Sequence, residues 1–442
     1  MAGRDGQEPE VADFELATMA AAIALTDLCY AIFAIATLPV WLLRMAWTGK
    51  LRTDWPARLG RGADVARTGR PRVLIHAVSV GEVNAIRGLV ERLANDRMQP
   101  EIVVSVTTDT GIARAQALFG ARHTVVRTPF DFSFAVRRWL ERTRPDLLVL
   151  VELELWPNMT RIARARGVPV AVVNGRLSDR SIRRYRRVRR LVRGMFARAD
   201  LVIAQNKAYA ERFAELGAGE VLVSGNMKWD SIAIRDTVPG AEALASEMGL
   251  AVGASAAPVI VAGSTEPGEE TLLREALADP ALSDVRLVIA PRKPEWWDGV
   301  AASLPGCVRR SRKERGGADT RFFLLDTIGE LSTAYALADV VVMGRSFGRL
   351  YGSDPIEPAS LGRAVVIGPR VADFRDVVAS FVEGGGIRQV QASDLRATLV
   401  ELIRDPQARA EVARRGRAVI RAEQGGTART AEVLLAMLAS RA

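Results

Sequence analysis

Arg72-Val73-Leu74-Ile75-His76-Ala77-Val78-Ser79-Val80-Gly81-Glu82 runs from an unbroken apolar stretch into a glycine and a carboxylate, and a helical stretch follows over 83–93. A strand with one wet face would alternate apolar and polar residues, so the apolar run reads as a strand buried on both faces. Gly81 lets a backbone approach closely. Glu82 falls where a helix begins, and the dipole there favours an ionised carboxylate. The same unit recurs, with strands expected at 101–106, 124–126, 146–151, 168–174 and 201–204. It restarts at 258–264, 285–290, 322–325, 340–343 and 364–367. Continuous apolar strands alternating with helices predict an α/β fold with parallel sheets covered on both faces. The series and its restart predict two doubly wound, Rossmann-like domains facing a cleft, at 70–225 and 257–420. A linker at 226–256 joins them and a helix at 421–442 closes the chain.

The 442 residues exceed one compact core and suit two or three domains. The net charge of +10 points to an anionic partner: nucleic acid, a phospholipid surface or a phosphorylated substrate. Cys29 and Cys307 form no metal spacing, and only two histidines, His76 and His123, are present. Zinc chemistry is therefore not expected. A Ser-His-Asp mechanism would need one of those two histidines. Carboxylates, backbone amides and arginines are left to do the chemistry.

The N-terminus is acidic, and an uncharged apolar run over Leu28–Leu43 follows, interrupted just before by Asp27. A secretory signal would start basic. Arg44, Trp47, Lys50, Arg52 and Trp55 beyond the run suit a membrane interface. Residues 17–48 read as an uncleaved membrane anchor, spanning once or lying in the interface; a buried core helix is the alternative. If the segment spans, the basic flank places the rest of the chain in the cytoplasm.

Ligands of open α/β sheets bind beyond the carboxyl ends of strands. Glu82 stands at one such end, either as a helix-start carboxylate or as a functional one. Glu152 and Glu154 stand at another. In the second half, Gly263-Ser264-Thr265 is suited to anions on backbone amides. Arg292 and Lys293 suit phosphate. Asp326-Thr327-Ile328-Gly329-Glu330 could present a helix start to a base or phosphate, and Glu357 could meet a ribose diol. Together these turns favour a nucleotide pocket. The stretch from Arg176 to Arg198 holds ten arginines with apolar residues at helical spacing. It reads as a solvated basic helix with one core face, or as a surface for lipid phosphates. With no nucleic-acid recognition motif in the chain and an anchor nearby, the membrane is the preferred partner, through Arg176, Arg183, Arg184 and Arg187.

These segments resemble the Kdo (3-deoxy-D-manno-oct-2-ulosonic acid) transferase family. The likeness is carried by His76–Glu82, Thr107-Thr108-Asp109-Thr110-Gly111, Pro129-Phe130-Asp131, Glu152–Asn158, Asn174–Ser178, Ala204-Gln205-Asn206 and Gly225–Asp230. It continues through Gly263–Glu270, Pro291–Glu295, Asp326–Leu331 and Pro355–Ala359. The resemblance implies a GT-B fold and an inverting transfer of Kdo from CMP-Kdo to a lipid A precursor, a step of lipopolysaccharide biosynthesis at the inner membrane. It implies no required metal and no cofactor, the CMP-sugar being a substrate. It places a general base at Glu82, with Glu152 beside it. It implies a donor site through the region of Arg292, the turn Ile328, Gly329 and Glu330, and Glu357; Ser264 and Lys293 from the strand-end turns, and Ser353 and Asp354 beside the expected pocket, are candidates to complete it. One departure bears on the donor: Tyr351-Gly352-Ser353-Asp354 stands where the family has Gly-Gly-His-Asn.

Overall fold

The computed structural model describes residues 8–47, 54–62, 64–251, 253 and 256–440. The chain divides into two compact units. One runs to Ser231 and takes in the chain again from Gln424; the other is Ile232–Glu423.

In the first unit the strands are β1 (Arg72–Ala77), β2 (Glu101–Val106), β3 (Thr124–Arg127), β4 (Leu147–Val151), β5 (Val170–Gly175), β6 (Leu201–Ala204) and β7 (Glu220–Val223). They form one parallel sheet in the order β3-β2-β1-β4-β5-β6-β7. The order reverses between β1 and β4, which opens a crevice beyond their carboxyl ends. Every residue of β1, β4 and β5 is buried. Helices cover both faces, so two apolar clusters flank the sheet. At the start of β1, Arg72 is fully buried and donates to Glu101 and to the carbonyls of Val65, Ala66 and Thr143. A buried guanidinium needs that many acceptors to offset its lost hydration.

The second unit repeats the plan with β8 (Val259–Thr265), β9 (Arg286–Pro291), β10 (Val308–Arg309), β11 (Phe322–Leu324), β12 (Val340–Met343), β13 (Ala364–Ile367) and β14 (Arg388–Gln389). Its parallel order is β10-β11-β9-β8-β12-β13-β14, with the reversal between β8 and β12. The stretch 226–256 is shared out: Met227–Ser231 forms a tight turn in the first unit and Ala241–Met248 a helix in the second. Val252, Ala254 and Ser255 of that stretch lie outside the described residues. Near the C-terminus one helix spans Pro406–Glu423 and the next, Gly426–Ala439, belongs to the first unit. The Asp230 carboxylate accepts from the Gly425 and Thr427 N–H groups at the start of that last helix.

Helix α1 (Glu8–Trp47) contains the apolar run, and within its Thr18–Leu43 portion an 18-residue stretch has a mean hydropathy of 2.0 with only 6% of it buried. That exposure rules out the buried-core alternative for most of its length. Thr48, Lys50 and Arg52 of the expected anchor and its flank lie outside the described residues. Asp27 does more than interrupt the run. Its carboxylate accepts from Ser133 N–H at 2.9 Å, from the Ser133 hydroxyl and from Asn158 Nδ2 at 2.8 Å. It thereby caps the helix Ser133–Thr143 and ties α1 to the first unit. Helix α2 (Trp55–Arg58) follows. The Arg176–Arg198 stretch is two helices, Asp179–Arg187 and Arg189–Phe196, broken at Val188.

Candidate active site

Three carboxylates gather at the β1/β4 crevice. Ser79 caps the helix Val80–Ala85 by accepting from Glu82 N–H, and Glu82 returns to Val78 N–H at 2.7 Å and the Ser79 hydroxyl at 2.9 Å. This reciprocal cap fixes the Glu82 side chain at the end of β1. Burial pushes its carboxyl above the ordinary range, the Val78 N–H pulls it back and the Glu152 charge adds to the rise. Glu152 extends the ladder by donating its N–H to Val173 O, then turns sharply with φ 62°. Such a left-handed turn at a non-glycine residue is strained. Lys228 Nζ stands 3.9 Å from its carboxylate. Glu154 accepts from Trp156 Nε1 at 2.8 Å, and burial, then the Glu82 charge, raises its carboxyl to about 7. The site therefore pairs a half-buried carboxyl that holds its proton near neutrality with a second poised above its usual range. Carboxyls displaced from their ordinary range and gathered at a crevice are a feature of acid–base sites.

Neither histidine belongs to this group. His76 is fully buried in β1 with Nδ1 on the Thr128 hydroxyl at 3.0 Å, and burial lowers its imidazole to about 4. It stays neutral at physiological pH.

The second unit builds its own crevice between β8 and β12. Ser264 bulges from the end of β8 with φ 57°, between Gly263 paired with Ala290 and Thr265 paired with Pro291. Gly263 has no alternative: a Cβ there would lie 2.0 Å from the hydroxyl of Tyr335, which is fully buried. Gly344, just past β12, lies against the Thr265 backbone, where a Cβ would come within 2.4 Å. Burial raises the Tyr335 phenol, with Glu357 and Asp354 adding and Arg292 opposing, so the sheet brings these three charges around one ring. Arg292 and Lys293 are exposed; Lys293 lies 3.5 Å from Glu295 and over the Trp296 ring.

The loop after β12 is held by carboxylates that the sequence reading did not single out. Glu269 accepts from the N–H groups of Glu266, Arg345, Ser346 and Phe347 at 2.8–3.0 Å, and Glu266 accepts from Leu350 N–H. Each sits in the Gly263–Glu270 segment, yet its partners in the loop lie some eighty residues on. The loop carries Ser353, whose buried hydroxyl has no hydrogen-bond partner among the described residues. Asp354, just before the N-cap Pro355, accepts from Ile356 N–H at 3.0 Å at the start of the helix Ile356–Ser360. An Asn side-chain oxygen can accept the same bond, so the departure from the family's Asn keeps the local geometry and adds a charge. Glu330 is engaged by Arg310 at 2.9 Å and by Thr327, which hold its carboxyl low; Ile328 beside it is 84% exposed and Gly329 has φ 96°. Glu330 is thus committed to Arg310, and the turn offers Ile328 and Gly329 instead.

On the first unit Arg183, Arg184 and Arg187 are exposed and Arg176 is half-buried. Leu191, 83% exposed, stands among the arginines of the second basic helix.

The two doubly wound parallel sheets are shared with the UDP-GlcNAc 2-epimerase of Neisseria meningitidis, at a TM-score of 0.56 and 12% identity over 84% of this chain and all of that one. The fold is therefore of the GT-B class. A family model described as 3-deoxy-D-manno-octulosonic-acid transferase (kdotransferase) matches residues 53–231. The 3-deoxy-D-manno-octulosonic acid transferase of Bordetella pertussis is 33% identical, covering 89% of this chain and 95% of its own. That of Haemophilus influenzae is 29% identical, covering 82% and 86%. The chain belongs to the Kdo transferase family.

Proposed function

We propose that the chain moves Kdo from CMP-Kdo to a lipid A precursor at the inner membrane, with both units on the cytoplasmic side and Glu82 as general base. The observation that carries this reading is Glu82 itself: a buried carboxylate fixed by its own helix cap at the crevice, with its proton affinity raised. A base must be ionised yet avid, and burial supplies the avidity. The acceptor hydroxyl oxygen bonds to the anomeric carbon of Kdo as the bond from that carbon to the CMP phosphate oxygen breaks. The hydroxyl proton passes to Glu82, and the electron pair leaves with CMP. Attack opposite the leaving group inverts the anomeric centre. Glu152, beside Glu82 and close to Lys228, keeps a negative field at the site that favours proton uptake.

The donor falls to the second unit. Arg292 offsets phosphate charge, the Ser264 bulge and the Ile328-Gly329 turn offer backbone N–H groups, and Glu357 takes the ribose. The leaving group carries a single phosphate, so arginine and backbone dipoles suffice and the reading requires no metal. Arg176, Arg183, Arg184 and Arg187 meet the acceptor's phosphates or the anionic surface around it. Incubation of purified chain with CMP-Kdo and a lipid A precursor, followed by mass analysis, tests the reading; the expected product carries added Kdo. Product formed only with another sugar nucleotide would refute the donor assignment and leave the transferase class standing.

A further inference from the structure

We propose that α1 does not cross the bilayer: it enters from the side on which its own domain stands, and the chain returns to that same side. The inference rests on the membrane association proposed above and specifies its form. The first half of the apolar segment is committed to protein. Ile23 is buried, Asp27 holds Ser133 and Asn158, and the Tyr30 hydroxyl donates to Asp131 at 3.0 Å. Arg161 reaches back to Ala22 O and the Thr26 hydroxyl. Beyond Tyr30 the described residues of the helix show no such partners. Phe33, Ile35, Leu38, Val40, Trp41 and Leu43 are exposed on every side of it. A helix apolar all round, with no single stripe to offer a protein, is built for lipid.

Connectivity then decides the mode. From Ala31 to Trp47 the helix is about 25 Å long, short of a hydrocarbon core of about 30 Å. At Trp55 the chain is again on the first unit. The Trp55 and Phe130 rings stand 6.1 Å apart, and Phe130 donates its N–H to Arg58 O at 2.9 Å. Phe130 lies three residues from the Ser133 that Asp27 holds, so departure and return share one surface. The step from Trp47 to Asp54 covers about 25 Å at full extension. Had α1 crossed, that step would have to recross the core, carrying Lys50 and Arg52, and only at full extension would it approach the length needed. It is too short, and hydrocarbon does not tolerate it. Immersing the docked half instead would pull the helices Ser133–Thr143 and Pro157–Ala165 into lipid, with Arg137, Arg142 and Arg164 on them. The remaining arrangement is a helix that dips into one leaflet or lies along it.

The test uses the full chain with C29S and C307S, carrying Lys50→Cys or Asp319→Cys, in sealed membranes exposed to an impermeant maleimide from one side at a time. Asp319 is on an exposed loop of the second unit. Both cysteines are expected to react from the same side. Reaction from opposite sides overturns the proposal. In the same background Ile35→Cys carrying a fluorophore is expected to be quenched at least twofold by lipids brominated on their acyl chains. Same-side labelling without quenching also overturns it, by showing that solvent or a second copy covers α1. That result would count against membrane insertion by α1, and measured Kdo transfer would be untouched by it.

Discussion

Replacing Glu154 by Gln removes a carboxyl that the fold holds at about 7 against an ordinary 4.5. The displacement corresponds to about 3 kcal/mol as an upper bound, because the side chain is only half-buried and water screens part of it. The sign follows from proton linkage. Below about pH 4.5 the carboxyl is protonated in both folded and unfolded chains, and its stability contribution is complete. As pH rises the unfolded chain ionises first, so stability is lost until the folded carboxyl ionises near 7, and the loss is then constant. Gln cannot ionise and keeps an oxygen for Trp156 Nε1. The variant should therefore gain on the wild type between pH 4.5 and 8, by up to roughly 6–12 °C in melting temperature at 2–4 °C per kcal/mol. Melting curves of both proteins in one detergent, read by intrinsic fluorescence across that range, give the difference for Glu154 and the carboxylates coupled to it, since titrations remote from the crevice cancel. A gap that stays flat with pH, or narrows as pH rises, would refute the reasoning.

Three further outcomes follow from the second unit. Gly263→Ala sets a methyl into the buried Tyr335 ring and should cost about 1–3 kcal/mol of stability; a melting temperature equal to wild type would contradict the packing. Ser353→Ala removes a buried hydroxyl with no hydrogen-bond partner, so melting should hold steady or rise slightly, while KM for the sugar nucleotide should increase several-fold if the hydroxyl serves the donor. Glu269→Ala strands three N–H groups of the loop after β12; unfolding under urea should come about 2 kcal/mol earlier or more, with donor KM rising together with it.

Much of the fold was legible because buried parallel strands write themselves as apolar runs. The runs at 72–75, 101–106, 146–151 and 340–343 all became strands. The edge strands β7, β10 and β14 were not legible: β10 and β14 are two residues each, too short to carry any period. Glu82 and Glu152 could be found because each directly follows an apolar run, where α/β sheets keep their ligands. The weight of Glu154 could not, since its raised proton affinity depends on burial and on the Glu82 charge across the crevice. Glu269 and Asp27 share that difficulty. Local pattern marks one as an ordinary helix-start carboxylate and the other as a flaw in an apolar run, and only partners 76 and 106 residues away give them their roles. The basic stretch was legible in charge but not in its break at Val188.

The most direct measurement is the rate of Kdo transfer from CMP-Kdo to a lipid A precursor by Glu82→Gln beside wild type, with melting curves to show that both are folded. The predicted result is a kcat lower by about 10²–10⁴, with donor KM little changed. In the wild type, log kcat/KM should fall on the acid side below a midpoint displaced upward from the ordinary carboxylate range, as burial of Glu82 dictates. A folded Glu82→Gln chain that transfers Kdo at the wild-type rate would contradict the assignment of the base.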